Sequence, residues 1–191
     1  MSKVAIKGNT SGTGTFTLEA PNSNTDRTLV LPDEAGTVLT SVSSVTQNSG
    51  PAVYVYGGPG QSISDNTWTK VLYSTEGFDT DGCWASSRFT PNVEGYYQIN
   101  AVIQVQNFAP GDSYLTTALS MDGGSTLIRT LSRDVKRSGA YNHTSGGSTL
   151  VYMNGTTDYV ELFVIMSTGT TETLHSTQEN MHFTAYLARA V

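Results

Sequence analysis

The sequence predicts an all-β protein, with a two-sheet sandwich or jelly roll over residues 48–191 and a short β-rich segment over residues 1–47. Three observations lead there. From Tyr97 every second residue is apolar (Tyr97, Ile99, Ala101, Ile103, Val105), while Gln98, Asn100 and Gln104 lie between them and Val102 is the exception. A period of two puts the apolar set on one face of a strand, the pattern of an antiparallel sheet with one covered side. Roughly eight to ten such segments follow one another at short spacing, and no stretch has a convincing helical period. The 19 glycines, with many threonines and tyrosines, favour short strands and turns.

In chain order, a turn cluster at 8–14 precedes an alternating strand at 15–20, and a second turn cluster at 21–24 follows. Short strands are expected at 28–32, stopped by Pro32, and at 37–40. Three such strands bury too little surface to stand alone, so they need another domain or identical copies. Residues 41–50 are polar and serine-rich and read as a linker. Strands are then expected at 52–56 and 68–73, with a turn beginning at Phe78. The segment 84–90 leads into the alternating strand, with Pro91 just outside it. Further strands are expected at 114–121, 126–132, 148–153 (ended by Asn154-Gly155), 159–166 and 181–188.

Composition narrows the function. Hydrophobic residues are 37% and charged residues 14% of the chain, both below the usual ~45–50% and ~25%. A surface short of charge is expected either to be solvated by Ser and Thr or to meet other subunits, since interface cores are depleted in charge. Net charge is −6, which argues against nucleic acid as a partner. The one basic run is Arg129, Arg133, Lys136 and Arg137, interrupted by Asp134. It reads as a solvated strand end or as a contact for an anionic ligand. A single cysteine, Cys83, allows no intrachain disulfide. No stretch approaches the ~20 apolar residues of a membrane span, so no membrane insertion is expected. The first residues lack the apolar core of a secretion signal, so the protein is expected to be made in a reducing cytoplasm. The three histidines show no metal-ligand spacing with Cys83, and no phosphate loop occurs. Asp79 and Asp81 with Asp122 could make a carboxylate cluster for calcium, and loop aspartates more often serve turns. No cofactor and no enzymatic activity are expected.

Two stretches carry resemblances. The run Leu31-Pro32-Asp33-Glu34-Ala35-Gly36-Thr37-Val38-Leu39, after a glycine-rich opening, resembles a module repeated in bacteriophage tail-fibre and virion proteins. The remaining ~140 residues are similar to the globular head of the complement first-component recognition subunit, a jelly roll shared with the tumour necrosis factor superfamily. The matching pieces are Asn66 and Trp68, Phe78-Asp79, Phe89-Thr90-Pro91 followed by Gly95-Tyr96-Tyr97, Leu150 through Asn154-Gly155, Asp158 to Leu162, and Phe183 to Leu187, with Ala185 where that family has glycine. The collagen stalk of the complement family is absent, and the phage-like module stands in its place.

The resemblances imply a homotrimer whose aromatic inner strands meet on an axis. Tyr97, Tyr159, Phe163 and Tyr186 are the interface candidates, with filling of the monomer core as the other role open to them. They imply a virion appendage whose residues 1–47 join other virion proteins and whose head recognises a host surface glycan or protein. The alternative is a head-fibre, decoration or tail-assembly component that binds only virion partners. Binding residues are expected in the loops 57–66, 107–113, 134–147 and 168–180. Asn107-Phe108 and Tyr141-Asn142-His143 are the aromatic-plus-amide surfaces suited to sugar rings.

Overall fold

The computed structural model describes residues 10–15, 17, 19, 22–26, 28, 50–108, 113–136 and 141–191. The chain divides into two compact units, Met1–Ser44 and Val45–Val191. The strands expected within the first unit, and the Leu31–Leu39 run, fall wholly or mostly outside the described residues.

The second unit is all β. Its strands are β1 (Ala52–Tyr56), β2 (Ser62–Ile63), β3 (Thr69–Lys70), β4 (Thr75–Asp79), β5 (Trp84–Ala85), β6 (Arg88–Phe89) and β7 (Gly95–Phe108). They continue as β8 (Ser113–Ser120), β9 (Leu127–Lys136), β10 (Tyr141–Met153), β11 (Glu161–Ser167), β12 (Glu172–Leu174) and β13 (His182–Ala190). One sheet runs β2-β12-β7-β13-β1-β4, with β10 paired to β7 as well. The second runs β3-β11-β8-β9, and β5-β6 form a separate hairpin. All pairings are antiparallel. Val105 of β7 pairs with both His143 of β10 and Leu174 of β12, so β10 lines one edge of β7 while β12 and β13 share the other.

Strand β7 is the centre of the first sheet. Tyr97, Ile99, Ala101, Ile103 and Val105 are all fully buried, so the period of two selects the core face. Opposite them lie Leu115 and Leu119 of β8 and Leu162, Val164 and Met166 of β11, in one continuous core. Burial of each of the large side chains among them contributes ~1.5–3 kcal/mol.

Several elements differ from expectation. Strand β10 begins at Tyr141, because Ser145-Gly146-Gly147 continues the strand. A Cβ on Gly146 would lie 2.2 Å from the Ala101 carbonyl oxygen, and one on Gly147 2.8 Å from that of Leu131. These glycines let β10 lie tightly against both β7 and β9. The segment at Phe78 forms the bulged edge strand β4, its register shifting against Tyr54 and Val55. Strand β3 spans only Thr69 and Lys70 of the expected 68–73.

Candidate functional site

The outward face of the first sheet is set by strands poor in charge. In β1, β7, β10 and β13 the only Asp, Glu, Lys or Arg is Arg189. Cross-strand partners share a face, so Tyr54 and Phe78 lie together, as do Tyr96 and Tyr152. Leu150 and Tyr186 both flank Gln98. Ring centroids of Tyr54 and Phe78 are 6.0 Å apart, and those of Tyr96 and Tyr152 are 5.6 Å apart and edge-on. Phe78, Tyr96, Leu150, Tyr152 and Tyr186 are each two-fifths to one-half exposed. They form an aromatic band across β4, β1, β13, β7 and β10.

Several polar groups on this face pair with one another, while the buried Gln104 Oε1 has no partner. Asn100 Nδ2 donates to Thr184 Oγ1 at 3.0 Å, Gln104 Nε2 to Thr144 Oγ1 at 3.0 Å, and Gln178 Nε2 to Tyr54 Oη at 2.9 Å. The Tyr152 hydroxyl donates to Glu94 Oε1, and that bond raises the phenol pKa, with burial adding to it. Neutral groups that already have partners cost little to cover, whereas unpaired charges would resist it. The face is therefore well suited to contact with another protein surface.

The predicted interface residues fall in different places. Tyr97 is wholly inside the sandwich, where its hydroxyl donates to the Val93 carbonyl at 2.7 Å and burial, ahead of Cys83 and Asp81, pushes its pKa up to about 12. Phe163 is also covered, lying on the other sheet against Gly124. Tyr97 fills the sandwich core with the rest of its alternating set, whereas Phe163 is covered outside that core, since it alternates with Leu162 and Val164. Tyr159 lies under the Arg88 guanidinium, 3.7 Å from its ring centroid. Tyr186 is 48% exposed on the aromatic face.

The predicted receptor contacts are gathered where β7 ends and β10 begins, with Tyr141 paired to Phe108. Phe108 is buried and stacks on His143 at 5.0 Å, so it serves packing. Asn107, Tyr141 and Asn142 are at the surface, and the Asn107 amide donates to Asn142 Oδ1 at 3.3 Å. Asn107 has φ +50°, a conformation asparagine tolerates better than most residues.

Of the calcium candidates, Asp79 and Asp122 are committed to turns. Asp79 accepts the amides of Cys83 and Trp84, and Asp122 accepts Ser120 Oγ and the Thr126 amide. Among the described residues, no three or more His, Cys, Asp or Glu side chains are grouped to hold a metal ion. Burial raises the pKa of the Cys83 thiol, most strongly among its influences, and Cys83 is covered.

Sequence reasoning missed the charged hub on β11. Glu161 is 2% exposed and its Oε1 accepts from Lys70 Nζ at 2.6 Å and Arg88 Nε at 2.9 Å. Lys70 Nζ also donates to the Ser86 carbonyl at 2.7 Å, tying in the β5-β6 hairpin. Burial pushes the Glu161 pKa up, but the two cationic donors outweigh it and hold the carboxyl below its usual range. A lone acid inside the apolar run 159–166 was the available signal, since buried acids are almost always paired.

No protein-family profile and no curated protein matches the sequence. Solved structures do match the fold. The globular domain of zebrafish complement 1qA protein aligns with a TM-score of 0.51 at 13% identity, over 74% of this chain and 99% of that one. Murine APRIL aligns at 0.52 and 9%, over 71% and 96%. Eiger TNF from S. frugiperda aligns at 0.53 and 10%, over 74% and 95%. The chain thus contains a jelly roll similar in fold to complement-head and tumour-necrosis-factor domains.

Proposed function

We propose that this chain is a bacteriophage virion appendage protein whose jelly-roll head assembles as a homotrimer and recognises a glycan or protein on the host surface. The observation that carries the assembly is the charge-poor aromatic face of β4, β1, β13, β7 and β10, whose central strands carry Arg189 as their one charged side chain. Its aromatic side chains and neutral hydrogen-bond pairs are the composition of an interface core. The phage-like run Leu31–Leu39 supports the virion setting, with the N-terminal module joining other virion proteins. Three shallow sites on one rigid trimer raise avidity without strong single-site affinity. Asn107, Tyr141 and Asn142, at the end of the sandwich, are the surface groups offered to a receptor. The role is binding, not catalysis.

The test is the solution mass of the full chain by light scattering, followed by adsorption assays in which the purified chain competes with phage for host cells. A trimer that blocks adsorption is the expected result. A monomer at all concentrations overturns the assembly. A trimer that does not block adsorption, with particles failing to assemble when the gene is deleted, moves the protein to a structural role within the virion.

A further inference from the structure

A second feature lies at the rim of the aromatic face, where β10 runs beside β9. The two strands are tight at Gly147, beneath the Leu131 carbonyl. Beyond that point Met121, Ile128, Leu150, Val151 and Tyr152 enclose a cleft of about 340 Å³ together with Arg129. Five of the six lining residues are apolar or aromatic, and the sixth is a cation. Arg129 makes one contact, from Nη1 to the Ile128 carbonyl at 3.3 Å. No acidic side chain pairs with it among the described residues, in a chain that carries 16 acids to 10 bases. The other described arginine of the basic run is engaged differently: Arg133 lies over the Tyr114 ring, 4.7 Å from its centroid. The Tyr152 hydroxyl is turned to Glu94, which leaves its ring as a wall.

We infer that this cleft binds a small organic carboxylate with an aromatic or branched aliphatic body. Arg129 supplies the fork of donors that matches a carboxylate, and the apolar walls take the body. Arg129 is exposed, so a neutral ligand would leave the guanidinium to water and gain nothing from it, and a hydrophilic anion would leave the walls unfilled. Leu150 and Tyr152 belong also to the aromatic face, so the ligand would sit beside the proposed contact between copies, but its recognition does not depend on that contact.

The experiment is titration of the full chain with 3-phenylpropionate and with its neutral counterpart 3-phenylpropanol, followed by calorimetry and by chemical-shift changes, with the mass of each sample recorded. The acid is expected to bind at least about tenfold more tightly than the alcohol. Arg129→Gln is expected to remove that preference, Arg129→Lys to keep part of it, and Arg133→Gln to leave it intact. Equal binding of acid and alcohol overturns the inference, as does no binding of the acid or an equal loss in Arg133→Gln. Because wild-type protein alone gives the acid-to-alcohol ratio, a poorly folded variant does not block the test. A monomeric sample that still prefers the acid removes the trimer and keeps the cleft, and a trimer without the preference does the reverse.

Discussion

At the scale of single residues, Glu161 sets the most direct prediction. Its carboxylate is covered, and both of its partners retain some contact with water. The pair energies therefore fall short of a fully desolvated ion pair. The folded pKa lies below the unfolded one, so the ionised form stabilises the fold above the ordinary carboxylate range. That contribution is lost as pH falls through that range towards the folded value. Glu161→Gln is expected to lower the unfolding free energy at pH 7 by about 1–3 kcal/mol. It should also flatten the acid limb of stability against pH, read by urea titration at several pH values. An unchanged limb would assign the acid sensitivity to other carboxylates. Tyr97→Phe removes only the bond to Val93 and is expected to cost about 0.5–1.5 kcal/mol in the same assay.

At the scale of elements, the β5-β6 hairpin turns on Ser86 and Ser87 with φ +51° and +54°. Two left-handed residues define the tight hairpin turn that usually takes Asn-Gly. Ser86→Gly is expected to stabilise the protein by up to about 1 kcal/mol by relieving that conformation. Ser87→Gly is not, because Ser87 Oγ accepts the Tyr73 amide at 2.9 Å, a bond the glycine would lose. Paired melting curves check the contrast. Gly146→Ala drives a methyl into the Ala101 carbonyl and is expected to cost about 1–3 kcal/mol or more. The same positions show what the sequence made legible. The β7 alternation is written in the chain because one face of that strand is fully covered. Gly146 and Gly147 read as a break because their role, close approach to Ala101 and Leu131, depends on residues far away in sequence. Strands β2 and β12 are two and three residues long and are held by pairing with each other and with β7, which no local pattern announces. For the candidate face, the scarcity of charge was visible in the composition. The alternation placed Tyr97 in the covered set and Tyr96 on the other face, but the bulged approach of β4 that brings Phe78 beside Tyr54 had no local mark.

At the scale of the whole molecule, the aromatic face predicts how the assembly can be undone. Tyr152→Arg combined with Tyr186→Glu places charge on β10 and β13, the strands on either side of β7, without touching the core. The double variant is expected to scatter light as a monomer and to keep the circular dichroism of the parent. A variant that remains trimeric would move the contact to another surface. The close fit of β10 beside β9 has a further effect. At Gly147 it covers part of β9, the long strand that ends the second sheet. The remaining outer strands are β2 and β3, two residues each, and the bulged β4. Among the described residues, none of these three offers a long row of unpaired amides on which another chain could add a strand. Copies of this domain are steered away from open-ended polymerisation through their edges, and a contact made through the face of the sheet has a geometry that can close after a few members.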